Sequence, residues 1–364
     1  MRVLIVFSSS ELGGAERSLS RMALASTLID YKLATLKSEG PWCEWVRSQG
    51  VNPIVLGKGA SHGRSGLFSS IKCLFKYLKV EPVDIIYVCG VRASLWIRLF
   101  KFLIPHTKIV HGVRWNPASD SHLDIFFRFV EKISFWLIDG WITNSKAAKK
   151  TLIDQCGISE SKIQVIYNGI ESIPVEPPFL SSRPCEILTI ANLNPRKGHR
   201  EFLEAIKIVV SKIPEAKFVF IGRDDMNGLI QQAIINNSLQ DNVHCEGFCS
   251  DVTPWLQRAR LFVLPSLWGE GCPTSILESF SFNVPVIAYA IDGVPELVQH
   301  ASDGYVCEVS KTALLADYII KLLKDVSLSE AMGVKGRSKI KNHYSLEASS
   351  NFHHEFFKKL IDDK

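Results

Sequence analysis

The 364-residue sequence contains no run approaching the roughly 20 apolar residues that a helix needs to cross a bilayer. Its best candidate, 93–105, is broken by Arg98 and Lys101, so the chain reads as soluble or peripheral. A Gly-x-Gly-x-x-Gly turn is absent, which removes the dinucleotide fingerprint. So is an Asp-x-Asp pair that would hold a metal on a diphosphate. Nine cysteines (43, 73, 89, 156, 185, 245, 249, 272, 307) show no framework spacing and read as reduced thiols. The one close pair, Cys245 and Cys249, has no second pair or histidine at ligand spacing, so zinc is not expected. Short-period repeats and low-complexity segments are missing too. The opening Met-Arg-Val-Leu-Ile-Val-Phe is too short an apolar run for a secretory signal, lacks a cleavage site, and reads as a first β-strand.

What is present is an ordinary folded composition, 46% hydrophobic and 22% charged, long enough for two domains. Short apolar runs alternate with helical patterns, the mark of α/β folds with parallel sheets. Strands are expected at 3–7, 32–36, 53–56, 85–88, 108–111, 141–143 and 164–166. Four prolines within 173–184 cannot continue a helix or a central strand, so 173–185 is expected to be a linker. Beyond it the alternation restarts, with strands expected at 187–191, 218–221, 244–246, 261–264 and 286–289. The expected organisation is a Rossmann-like domain over 1–172, a second over 186–343, and a C-terminal helix in 344–364 that returns to the first. Ligands would bind between the carboxyl ends of the two sheets.

Charge is unevenly spread. Residues 1–180 hold 22 Lys/Arg against 15 Asp/Glu, and the remainder 20 against 22. The excess sits in 58–108, where nine basic residues face only Glu81 and Asp84. Within it, 64–79 and 92–104 interleave Lys/Arg with Leu, Phe and Trp, as interfacial helices do on anionic lipid. An anionic membrane surface is therefore an expected partner of the N-terminal domain; a solvated basic face over an apolar core is the competing reading. No nucleic-acid partner is expected.

Four segments carry chemistry. In Ser266-Leu-Trp-Gly-Glu-Gly-Cys-Pro-Thr-Ser-Ile-Leu-Glu, Thr274 resembles an N-cap. The N–H groups of Ser275, Ile276 and Leu277 would then face an anion, phosphate above all. Glu270, beside Gly271, and Glu278 bracket that terminus and suit hydroxyls on either side of a diphosphate; an ordinary loop carboxylate and helix-surface Glu is equally compatible with the pattern. A second loop, Asn194-Pro-Arg-Lys-Gly, offers Arg196 and Lys197 to stabilise a departing diphosphate without metal, or is a solvated turn. Gly13 and Gly14, after the first strand, allow φ > 0 or close backbone approach, though such a pair is more often only a tight turn. His111, before Gly112, would sit at a strand's carboxyl end.

Together these residues resemble glycosyltransferase family 4, whose GT-B fold is two facing Rossmann-like domains with an interdomain cleft. The resemblance spans nearly the whole chain through Glu270-x7-Glu278, Gly13-Gly14-x-Glu16, Arg196-Lys197-Gly198, Val165-Ile-Tyr-Asn-Gly-Ile170 and Gly293-Val-Pro-Glu-Leu-Val298. It implies retaining transfer from a UDP- or GDP-linked sugar to a polysaccharide, lipid-linked oligosaccharide or glycolipid, with neither metal nor cofactor, in the cytoplasm or at the inner face of the membrane. By resemblance Glu278 binds the ribose, Glu270 the sugar, Arg196 and Lys197 the diphosphate, and His111 the transferred sugar. One departure stands out: many relatives carry Gly-Arg where this chain has Ala191-Asn192. Two rivals remain, a non-catalytic partner subunit of the same fold and another nucleotide-dependent α/β enzyme such as a sugar epimerase.

Overall fold

The computed structural model describes residues 1–57, 64–117, 121–171, 173 and 176–362. The chain divides into two compact units, Met1–Ile170 with Leu346–Lys364, and Glu171–Ser345.

Unit 1 holds seven parallel strands in the order β3-β2-β1-β4-β5-β6-β7. They are β1 Arg2–Phe7, β2 Asp30–Thr35, β3 Ile54–Val55, β4 Ile85–Cys89, β5 Lys108–Val113, β6 Gly140–Thr143 and β7 Ile163–Val165. β1 shows why the sheet is covered on both faces: residues 3–7 are all buried, and its side chains alternate between two cores. Leu4 and Val6 join one, whereas Val3, Ile5 and Phe7 join the other. Helices α3 (Arg64–Val80), α4 (Val91–Leu99) and α6 (Lys146–Cys156) supply Leu74, Ile97 and Leu152 to the first core. The second takes Leu19 from α1 (Gly14–Ala25) and Phe356 and Phe357 from α14 (Leu346–Asp362). A Cβ on Gly140 would stand 2.7 Å from the Phe356 ring, so the glycine admits α14 onto β6.

Unit 2 holds six parallel strands in the order β10-β9-β8-β11-β12-β13. They are β8 Glu186–Ile190, β9 Lys217–Ile221, β10 Val243–Gly247, β11 Leu261–Leu264, β12 Val286–Tyr289 and β13 Gly304–Cys307. β13 is not among the expected strands: four residues opening on glycine carry too little apolar pattern. β8 and β11 lie side by side, Leu261 beside Ile187 and Phe262 beside Leu188, although 70 residues separate them in the chain. Strand order reverses direction there, so the loops following both strands project from the same sheet edge, where open α/β sheets bind ligands.

Among the described residues no helix is long and apolar enough to cross a membrane. None of the nine cysteines forms a disulfide.

Candidate functional site

The loop after β8 closes through a short 3-10 turn, Pro195–Lys197, into helix α7, His199–Lys212. Gly198 takes the left-handed φ of +66° at the junction, and a Cβ there would lie 2.1 Å from the Pro265 carbonyl oxygen. Glycine is therefore required twice over, for conformation and for contact with the loop after β11. That contact is reinforced by the Leu267 N–H donating to the Arg196 carbonyl at 2.8 Å. Two loops distant in sequence become one rigid edge.

On this edge Arg196, Lys197 and Glu270 meet. Arg196 donates from Nη1 to the Gly269 carbonyl at 2.6 Å. Lys197 Nζ donates to Glu270 Oε1, and the Ser266 hydroxyl donates to the same oxygen at 2.6 Å. Glu270 is only 5% exposed. Burial opposes its ionisation, but the charge and hydrogen bond of Lys197, with Ser266 and Arg196, outweigh burial and hold the carboxyl below its usual range. The carboxylate and the ammonium neutralise one another, which is also the pairing that a sugar hydroxyl and a diphosphate would separate.

A residue without a sequence signal positions Glu270. Asp292 follows β12 and sits at a left-handed φ of 43°, a region that Asp and Asn tolerate better than most side chains. Its Oδ2 accepts the backbone N–H groups of Gly269 at 2.8 Å and Glu270 at 3.0 Å. The Gly293 N–H returns a bond to the Glu270 carbonyl at 3.1 Å. Replacing Asp292 with Ala frees two amides and strains the turn, so turnover should fall about 10- to 100-fold through misplacement of Glu270. Affinity for a bare nucleoside diphosphate should stay near that of the native chain. Asp292→Asn keeps an acceptor and the backbone preference and should restore most activity. Equal loss of activity in the Asn and Ala variants would defeat this role.

Helix α10, Thr274–Ser281, follows. The structure differs here from the expected cap: Thr274 is the first helical residue, and Pro273 occupies the cap position with no side-chain acceptor. One expected amide is already used, since the Ile276 N–H donates to the Pro273 carbonyl at 3.2 Å. The side chains of Ser275, Ile276 and Leu277 are buried, as is Gly271, while Thr274 and Glu278 remain half-buried. Glu278 stands four residues into the helix. Asn192 uses its Oδ1 to accept the Arg223 N–H at 3.1 Å, so it fixes the neighbouring loop.

In unit 1 the glycine pair opens α1. Gly13 is its extended N-cap, at φ −90°, and Gly14 is its first residue, so positive φ is not why either is glycine. A Cβ on Gly14 would meet nothing within 4 Å, whereas one on Gly13 would stand 2.7 Å from Glu16 Oε2, so glycine at 13 is what admits the close approach of that carboxylate. Glu16 in the same turn is half-buried; burial raises its carboxyl, and its own and the Gly13 backbone amides offset this in part.

His111 lies elsewhere than expected. β5 runs two residues beyond it, and the imidazole is fully buried under helices rather than at the strand's end. Its Nδ1 is 2.9 Å from Glu131 Oε1, and Glu131, on α5 (Ser121–Ser134), also receives Arg98 of α4 at 2.8 and 3.1 Å. Trp141 Nε1 donates to Glu131 at 3.1 Å. Burial pulls the imidazole down in pKa against the opposing pull of Glu131, which favours a neutral ring donating from Nδ1.

Among the described residues no group of three or more His, Cys, Asp or Glu side chains is arranged to hold a metal.

Comparison with known proteins matches the description Glycosyltransferase Family 4 to residues 12–172 and Glycosyl transferases group 1 to residues 177–339. The chain is 26% identical over 296 residues to the UDP-Gal:alpha-D-GlcNAc-diphosphoundecaprenol alpha-1,3-galactosyltransferase of Escherichia coli, covering 76% of each. It is 26% identical to the capsular polysaccharide biosynthesis glycosyltransferase CapM of Staphylococcus aureus, covering 77% of this chain and 78% of that one. Similarity to the amylovoran biosynthesis glycosyltransferase AmsK of Erwinia amylovora, also 26% identical, spans about half of each chain (52% and 49%). In fold the chain resembles Anabaena Alr3699/HepE, solved in complex with UDP and glucose, with a TM-score of 0.84 at 18% identity over 99% of this chain and 100% of that one.

Proposed function

We propose that this chain, a glycosyltransferase of GT-B fold related to family 4 and the group 1 glycosyl transferases, moves a sugar with retention from a UDP-linked donor to a glycan carried on lipid or polysaccharide. The observation that carries the reading is the network of Arg196, Lys197 and Glu270 across the β8–β11 switch point. It offers fixed positive charge where a leaving diphosphate gains negative charge, beside a carboxylate able to accept sugar hydroxyls. Transfer then needs no metal: Arg196, Lys197 and the N-terminus of α10 hold the diphosphate, and its oxygen accepts the acceptor's proton during front-face attack. UDP is favoured over GDP, and a lipid-borne acceptor over a free one, by the names of the relatives: the E. coli enzyme uses UDP-Gal on a diphosphoundecaprenol-linked sugar, and HepE was solved with UDP. Activity would reside in the cytoplasm, at the inner face of a membrane.

Calorimetry tests the division of labour between the glutamates. Glu278→Ala should weaken binding of bare UDP, because its partner is the ribose. Glu270→Ala should leave that affinity nearly unchanged while turnover of the sugar donor falls, because its partner is the sugar. GDP should bind the native chain more weakly than UDP. Equal loss of UDP affinity in both variants breaks the assignment.

A further inference from the structure

The basic segment 64–79, expected to lie on lipid, is α3, and most of its apolar residues pack inward, with Phe68 left 40% exposed. Ile71, Leu74, Phe75 and Leu78 are buried against the sheet, which leaves Lys72, Lys76 and Lys79 as a solvated row. A longer exposed apolar stripe lies on α5. Ile125, Phe129 and Ile133 follow one another at i, i+4 and i+8 on one face, and Trp136 continues that face in the next turn. With Phe102 they are 55–71% exposed. The opposite face of α5 carries Val130, Glu131 and Ser134, all buried. The turn that carries Phe102 is tied to the segment after α5: Lys101 donates to Asp139 at 2.5 Å. Contiguous exposed apolar residues of this size mark an interaction surface.

Charge selects the occupant. Lys132 is exposed within the stripe. Among the described side chains flanking it, the acidic Glu131 is buried against Arg98 and Asp139 is taken by Lys101. Adjoining segment 58–108 carries the protein's positive excess; Lys58 lies outside the described residues. A second copy docked face to face would bring like charges together, whereas an anionic bilayer complements them. Large aromatic and branched residues flanked by lysine are the composition of an interfacial helix.

We propose that α5, with the turn Lys101–Leu103, is the face by which unit 1 enters the headgroup region of an anionic bilayer. This rests on the reading that the acceptor is lipid-borne, and it names the surface that brings the enzyme to it. The full chain is sedimented with vesicles of phosphatidylcholine alone and of phosphatidylcholine mixed with phosphatidylglycerol. Native protein should bind the anionic vesicles and release from them as salt rises. F129S/I133S/W136S should bind about tenfold more weakly or less, because the buried apolar area is lost. Its thermal transition and donor hydrolysis should be unchanged, because the three side chains are exposed and none takes part in the hydrogen bonds of Arg196, Lys197 and Glu270. K72Q/K76Q/K79Q should lose less binding and show a shallower salt dependence. If the serine variant binds like native protein while the α3 variant does not, the membrane reading survives and the α5 surface is wrong. If native protein binds neither vesicle, both fail. A native dimer that the serine variant dissolves would assign the face to a second copy instead.

Discussion

Replacing Lys197 with alanine should lower turnover about 10²- to 10³-fold, the loss expected for one preorganised group that stabilises charge in the transition state. Two separate consequences add up in this variant. The leaving diphosphate loses an ammonium held on a rigid loop, and Glu270 loses the strongest of the partners that keep it ionised despite burial. With burial less fully offset, by Ser266 and Arg196 alone, the Glu270 carboxyl moves up in pKa, so the acid limb of kcat/KM should shift to higher pH. Lys197→Arg retains the charge and should recover part of both effects. Arg196→Ala should fall in the same range, but with an added structural component, because the guanidinium also fastens the Gly269 carbonyl. EDTA should leave native transfer intact. Loss of transfer on chelation, restored by Mg²⁺ or Mn²⁺, would overturn the account in which side chains alone hold the diphosphate.

The fold was legible because parallel strands covered on both faces are continuous apolar runs, as residues 3–7 illustrate. Two sheets with the order reversals of α/β folds follow from the alternation of such runs with helical patterns. Local signals misled where a residue served a distant neighbour. Gly112 looked like the end of β5, yet it is glycine because the Tyr87 ring and Cys89 Sγ stand 2.7 and 2.9 Å from where its Cβ would be. The strand therefore continues, and His111 turns into the core. On α3 the pattern stays ambiguous: Lys72, Lys76 and Lys79 form an exposed row over buried Ile71, Leu74 and Leu78, and Phe68 on the same helix is 40% exposed. Glu270 and Lys197, 73 residues apart, are paired only by the adjacency of β8 and β11. Asp292 has no motif at all, since it acts through backbone amides that any sequence would supply.

The buried cluster beneath α5 should prove the largest single determinant of stability in unit 1. Arg98, Glu131 and His111 are all 0% exposed, and Ser94, Ser134 and Trp141 add hydrogen bonds to the cluster. Burial works against the Glu131 carboxylate, but His111 and Arg98 outweigh it and hold the pKa at about 2. Glu131→Gln keeps the shape and strands the Arg98 charge, so unit 1 should lose about 3–5 kcal/mol, measured by chemical denaturation. The pH dependence has a definite order. His111 is lowered by burial, and His353 on α14, donating from Nδ1 to the Ser349 carbonyl at 2.7 Å, is lowered to about 3. Both are neutral when folded, so their contribution is complete above the unfolded histidine pKa of about 6.5 and declines as pH falls below it. Glu131 contributes fully above the unfolded glutamate pKa of about 4.3 and is lost only as pH approaches 2. Unfolding midpoints should therefore begin to drop below about pH 6.5 and steepen below about 4.3. In Glu131→Gln the second, steeper phase should weaken while the histidine phase from His353 persists. Because a buried ion pair can be exchanged for apolar side chains at little cost, R98M/E131L should recover much of the lost stability. A Glu131→Gln midpoint within about 0.5 kcal/mol of native, typical of a surface substitution, would mean that α4 and α5 are held to the sheet by their apolar contacts and not by this cluster.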